Sequence, residues 1–158
     1  MNAKMSALKS CFEAEGFSDV RTLLSSGNVV FNARSTPLAT LERRAERAMQ
    51  SGLGRSFGTI VRSAEYLQAF IASDPFAEFG LPPTAKRVVT FLRGPSETKL
   101  KLPIEQHGAS ILKFTGSEVL AAYVPGPKGP VFMVLLERSF GTNITTRTLD
   151  TVRKCAAA

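Results

Sequence analysis

The chain predicts an α+β fold: two ferredoxin-like (βαββαβ-type) subdomains with antiparallel sheets, the first missing its opening strand. Three observations carry this reading. The second half runs strand, helix, strand, strand, helix, the element order of a ferredoxin-like unit. The first half runs helix, strand, strand, helix, strand, which is the same cycle without its first strand. At 158 residues, 44% hydrophobic and with 11 Phe, the chain has apolar material for one ordinary domain or two small subdomains sharing a core. The expected subdomains are residues 1–80 and 81–158.

The first helix is expected over residues 3–15, because Met5, Leu8, Cys11 and Phe12 recur at three- and four-residue spacing. Gly16 suits the left-handed position that ends a helix, and Phe17 supplies the apolar contact that follows such an end. Val20 to Leu24 reads as a strand. Ser25-Ser26-Gly27-Asn28 reads as a turn, since Gly and Asn tolerate positive φ, and Val29-Val30-Phe31 as the returning arm of a hairpin. Thr36 and Pro37 suit the N-cap and first position of a second helix, whose stripe is Leu38, Leu41, Ala45 and Met49 and whose stop is Gly52. Phe57 to Arg62 is expected as a strand, and Ser63 as the cap of a short helix bearing Leu67, Phe70 and Ile71.

Asp74 to Lys86 holds Pro75, Pro82 and Pro83 and no clear period, so it reads as a connector. Arg87 to Leu92 is a strong strand. A helix is expected from Ser96, restarting at Pro103 and closed by Gly108. Ser110–Phe114 and Val119–Val124 form a hairpin around Thr115-Gly116-Ser117. Pro125 to Pro130 is a rigid loop, Val131 to Phe140 an apolar run, and a final helix begins within Asn143–Thr146.

Composition narrows the classes of function. No run approaches the roughly 18 apolar residues of a membrane span, and no signal segment opens the chain, so a cytoplasmic protein without membrane contact is expected. Cys11 and Cys155 are too few for a disulfide framework. One His and no CxxC or HxxxH spacing argue against a metal site, and no cofactor is expected. The net charge of +7, from 20 Lys and Arg against 13 Asp and Glu, favours an anionic partner: a phosphorylated metabolite, a nucleotide or nucleic acid. The bases are scattered, however. The cluster Arg43, Arg44 and Arg47, interleaved with Glu42 and Glu46, is the pattern of a solvated, ion-paired helix face.

The candidate ligand-binding residues are Asn28, Asn143, Thr145, Thr146, Arg147 and Lys154. Free N–H groups at a helix start, two hydroxyls and a guanidinium make an anion cradle at Asn143–Arg147. The competing reading is that Asn143 or a Thr only caps the helix. Ser25, Ser26 and Asn28 offer polar groups at a hairpin mouth, although turn geometry alone accounts for them. His107, before Gly108, reads as a cap-region residue. Neither a G-x-x-x-x-G-K-[ST] nor a G-x-G-x-x-G sequence occurs, and the prolines of Pro125–Pro130 remove N–H groups that a phosphate cradle needs. No catalytic set stands out.

Phe17 through Phe31 (FSDVRTLLSSGNVVF), the Val61-Arg62-Ser63 step and the Thr145–Lys154 terminus resemble domain-of-unknown-function family 1697. The resemblance implies a bacterial protein with two related ferredoxin-like subdomains, and it brings no established activity. Members of the family open with an apolar strand and a Gly-rich turn before the first helix, and this chain starts at that helix. The family's terminus continues after Thr-Thr-Arg with Asn and Trp, where this chain has Thr148 and Leu149. Its Ser-Lys pair is replaced by Pro130-Val131.

Three classes of function follow. The first is a binding module for an anionic ligand. The second is a small-molecule enzyme with its site between the subdomains, which lacks a convergent acid–base set. The third is an oligomerising protein, a homodimer for instance, because an uncovered sheet edge invites pairing. Base stacking on the sheet is disfavoured, since Arg87–Leu92 offers only Phe91. The missing strand is expected to be repaired in one of three ways: the strands at Val20–Leu24, Val29–Phe31 and Phe57–Arg62 close up, another segment fills the slot, or a second copy supplies a strand or apolar surface. Direct closure is favoured because it needs no second molecule.

Overall fold

The computed structural model describes residues 3–24, 27–93, 101–106, 108–124 and 132–158. Ser25, Ser26, the helix expected from Ser96, His107 and the Pro125–Pro130 loop lie outside the described residues. Helices and antiparallel sheets make it an α+β protein. Its contacts divide into two compact units, Met1–Glu65 with Lys154–Ala158, and Tyr66–Arg153.

In the first unit, α1 (Met5–Ala14) buries Leu8, Cys11 and Phe12 on one stripe. It ends as its sequence predicts. Gly16 is left-handed at φ +100°, and its N–H and that of Phe17 donate to Glu13 O and Phe12 O at 3.1 and 3.2 Å. This is the Schellman pattern, and it stacks Phe17 on Phe12 with ring centroids 5.4 Å apart. The antiparallel hairpin of β1 (Ser18–Leu23) and β2 (Asn28–Asn32) follows, with an irregularity between Ser18 and Arg21 where Asp19 takes φ +50°. Phe31 joins the ring cluster, 4.4 Å from Phe17.

Helix α2 (Leu38–Leu53) lays Leu41, Ala45, Ala48 and Met49 into this core. Two details differ from expectation. Pro37 stands at the cap position while the Thr36 hydroxyl turns back to Arg34 O, and Leu38 is exposed. The helix runs past Gly52 and stops at left-handed Gly54.

Phe57–Arg62 is not a strand. Two of its N–H groups go to side chains: Val61 N–H donates to Glu42 Oε2 at 2.9 Å and Thr59 N–H to Glu46 Oε2 at 3.3 Å. Donors taken by helix carboxylates are not available to a ladder. The expected closing-up of three strands is therefore corrected. Among the described residues the hairpin alone forms this sheet, and Phe57 and Val61 pack against the core from the strap instead.

The second unit is built on a five-stranded antiparallel sheet of order β4-β5-β6-β3-β7: β3 is Lys86–Leu92, β4 Ile104–Gln106, β5 Ala109–Phe114, β6 Glu118–Tyr123 and β7 Ile144–Thr148. Two expectations are corrected here, and one unassigned apolar run is a helix. Ile104–Gln106 is a strand paired with Ala109–Ile111, and left-handed Gly108 belongs to their turn rather than to a helix end. The run ending at Phe140 is helix α4 (Phe132–Phe140). Asn143–Thr146 does not start the last helix, because Ile144–Thr148 pairs with β3 and α5 begins at Leu149 (Leu149–Ala157).

Register assigns the two faces. Val88, Leu92, Val119, Ala121, Ile111 and Ala109 pack with Leu136, Met133 and Phe140 of α4. The opposite face carries Val89, Phe91, Leu120 and Ala122, all buried, and Glu118 at 1% exposure. Helix α3 (Ala64–Ala72) reaches this second face through Tyr66, and a 3-10 turn, Ala77–Phe79, follows it. No helix among the described residues is long and apolar enough to cross a membrane.

Candidate functional site

The sequence candidates fall in both units. Asn28 closes the hairpin turn, its Nδ2 donating to Leu23 O at 2.9 Å, and Lys154 falls with the first unit. Asn143 is exposed in the bend before β7. On β7 the side chains alternate. Thr146 meets the buried Thr90 hydroxyl at 2.7 Å, while Thr145 and Arg147 lie on the other face. Those two are brought together: Arg147 Nη1 donates to Thr145 Oγ1 at 2.8 Å and to Thr146 O at 2.9 Å. The helix start has moved to Leu149, where the Thr148 hydroxyl accepts the Thr151 N–H at 3.3 Å. That hydroxyl caps one N–H of the helix start.

A second constellation lies on the same face of the sheet as Thr145 and Arg147, because Arg147 pairs with Val89, Val89 with Leu120 and Leu120 with Lys113. A cleft of about 430 Å³ is lined by Phe70, Ser73, Asp74, Pro75, Ala77, Glu78, Lys113, Thr115 and Leu120. Phe70, Pro75 and Leu120 are its apolar lining. Ser73, Asp74 and Glu78 come from the end of α3 and the turn after it. Lys113 and Thr115 come from β5 and the β5–β6 turn. Lys113 Nζ and Glu78 Oε1 pair at 3.6 Å, with both side chains more than half exposed. Pairs this open contribute little to stability and are readily exchanged.

Beside Thr115 sits Glu118. It heads an apolar strand and is buried because register points it at the same face as Leu120. Its carboxylate is satisfied by hydroxyls: Tyr66 OH donates to Oε1, and Thr115 Oγ1 donates to Oε2 at 3.0 Å. The Glu118 N–H returns to Thr115 Oγ1 at 3.0 Å, and Thr115 N–H donates to Glu118 O at 2.9 Å. The hairpin turn is thus locked at both residues, and the Thr115 side chain is held in one orientation at the cleft wall.

None of Tyr66, Asp74, Glu78, Lys113, Thr115 and Glu118 was a sequence candidate. One signal was present: Glu118 is the one ionisable residue inside the strand Glu118-Val119-Leu120-Ala121-Ala122. An acid at an inward register position has to meet donors from another element.

The molecule is thus an α+β protein with an antiparallel five-stranded sheet and a small polar cleft on one face of it. The chain belongs to the family described as Protein of unknown function (DUF1697), which it matches over residues 1–119. No curated protein and no solved structure matches it.

Proposed function

We propose that the protein is a cytoplasmic binding module for a small polar molecule held in the cleft between the end of α3 and the β5–β6 hairpin. The carrying observation is the cleft itself. Its volume of about 430 Å³ lies in the range of small-molecule sites, and apolar walls are combined with a few polar groups of fixed orientation. The strand order β5-β6-β3-β7 supports reading the second unit as ferredoxin-like, with β4 added outside it. Base stacking on this sheet has little support, since Phe91 is 7% exposed and cannot offer a ring face.

An anionic ligand, nucleic acid included, is the second reading, and the net charge of +7 favours it. Such a ligand would be met by bases such as Lys113 and Arg147, with Asn28, Asn143, Thr145, Thr146 and Lys154 as the other polar candidates. An enzymatic role would need a group in the cleft that gives or takes a proton, and the Tyr66–Glu118 pair beside Thr115 supports that only indirectly.

The test is a thermal-shift screen of metabolites and short oligonucleotides on the wild-type chain and on Ala77→Trp, which fills the cleft from an exposed lining position. A native-state ligand raises the melting temperature by mass action. A ligand whose shift disappears in Ala77→Trp supports the cleft. Shifts that all persist in Ala77→Trp overturn it.

A further inference from the structure

Resting on the cleft reading, we infer that the ligand is a small organic cation, a primary ammonium or guanidinium on a short apolar stem, even though the protein as a whole is basic. The inference comes from following each donor proton at the cleft wall. The Ser73 hydroxyl donates to Phe70 O at 2.7 Å. The Thr115 hydroxyl donates to the buried Glu118 carboxylate at 3.0 Å. A hydroxyl has one proton and two lone pairs, so each of these side chains now offers a ligand only an acceptor. Four backbone donors of the lining are also spent. Ser73 N–H goes to Ala69 O at 3.0 Å, Asp74 N–H to Ile71 O at 3.1 Å, Ala77 N–H to Asp74 O at 3.1 Å and Thr115 N–H to Glu118 O at 2.9 Å. Pro75 has no N–H.

The side chains that line the cavity therefore bring mainly acceptors: the two hydroxyl oxygens and the carboxylates of Asp74 and Glu78. The donor is Lys113, and its ammonium is already beside Glu78. The formal charges of Asp74, Glu78 and Lys113 sum to −1, so one bound cation brings the cleft to neutrality. An anion would face two carboxylates and hydroxyls that have no proton to give it. An ammonium or guanidinium supplies several donors, and Phe70 and Pro75 accept its alkyl stem.

The experiment titrates n-butylguanidinium and 1,4-diaminobutane, with butyrate and inorganic phosphate as anionic counterparts, against wild type, Asp74→Asn, Lys113→Ala and Ala77→Trp. Asn suits Asp74 because that residue has φ +48°, which Asn tolerates. The expected result is a rise in melting temperature of about 3 °C at ten times Kd for a cationic probe. That rise should be absent in Ala77→Trp, reduced at least fivefold in apparent affinity in Asp74→Asn, and retained in Lys113→Ala. No shift from either cation overturns the inference, as does a cation shift indifferent to Asp74→Asn. A shift from butyrate or phosphate that is lost in both Lys113→Ala and Ala77→Trp overturns the cationic ligand while leaving the cleft as the site. Shifts unaffected by Ala77→Trp overturn both.

Discussion

Gly52 of α2 faces Cys11 of α1 so closely that a Cβ on Gly52 would lie 3.3 Å from the Cys11 Cβ, and nearer still to its sulfur. Glycine inside a helix normally costs up to about 1 kcal/mol relative to Ala. Here it is required, because the two helices meet backbone to side chain at this point. Gly52→Ala is therefore expected to destabilise by about 1–3 kcal/mol, the range for overpacking, and not to gain helix propensity. Cys11→Ala removes the sulfur and should relieve the clash. In urea titrations the double variant should be more stable than the sum of the singles; simple additivity would contradict the contact.

Glu42 is 4% exposed and spends its carboxylate on the Val61 N–H. Glu42→Ala leaves a buried donor unpaired and is expected to cost about 1–3 kcal/mol, whereas Glu42→Gln keeps an acceptor oxygen and should cost less. Hydrogen exchange reads the mechanism directly. The Val61 amide should exchange much faster in Glu42→Ala than in wild type. Unchanged protection would mean that the strap is held by packing of Phe57 and Val61 alone.

Tyr66 and Glu118 tie α3 to the sheet. Tyr66→Phe removes the hydroxyl and keeps the ring, so a loss of about 1–3 kcal/mol is expected from the carboxylate left short of a donor. In a Glu118→Gln background the same change should cost less, since a neutral amide needs that donor less. Equal losses in both backgrounds would show that the hydrogen bond does not hold the helix.

Leu41 and Leu38 sit three residues apart on α2, one 8% and the other 40% exposed. Leu41→Ala is expected to cost about 2–5 kcal/mol and Leu38→Ala to stay within about 0.5 kcal/mol. Comparable losses in denaturant unfolding would mean that the rotation of the helix about its axis is misassigned.

Local chemistry was legible wherever it was decided locally. Gly16 and Phe17 announced the end of α1, and the buried stripe of α2 followed from Leu41, Ala45 and Met49. Phe57–Arg62 reads as a strand because Phe57, Thr59, Ile60 and Val61 are residues that favour strands, while the choice between a ladder and two carboxylates is made by Glu42 and Glu46 on another element. Thr145-Thr146-Arg147 is ambiguous for a related reason. Threonine suits both a helix cap and a strand, and pairing with β3, more than fifty positions earlier, decides it. The cleft was not legible, since Tyr66 and Glu118 are 52 residues apart and the direction of each hydroxyl proton depends on both.

The most direct test of a small-molecule site on the second unit is a residue-resolved NMR titration with n-butylguanidinium. The expected result is saturable amide shifts confined to Ser73, Asp74, Ala77, Glu78, Lys113, Thr115 and their sequence neighbours, lost in Ala77→Trp. Shifts centred instead on Ile144–Thr148, or spread over the surface without saturating, would contradict it.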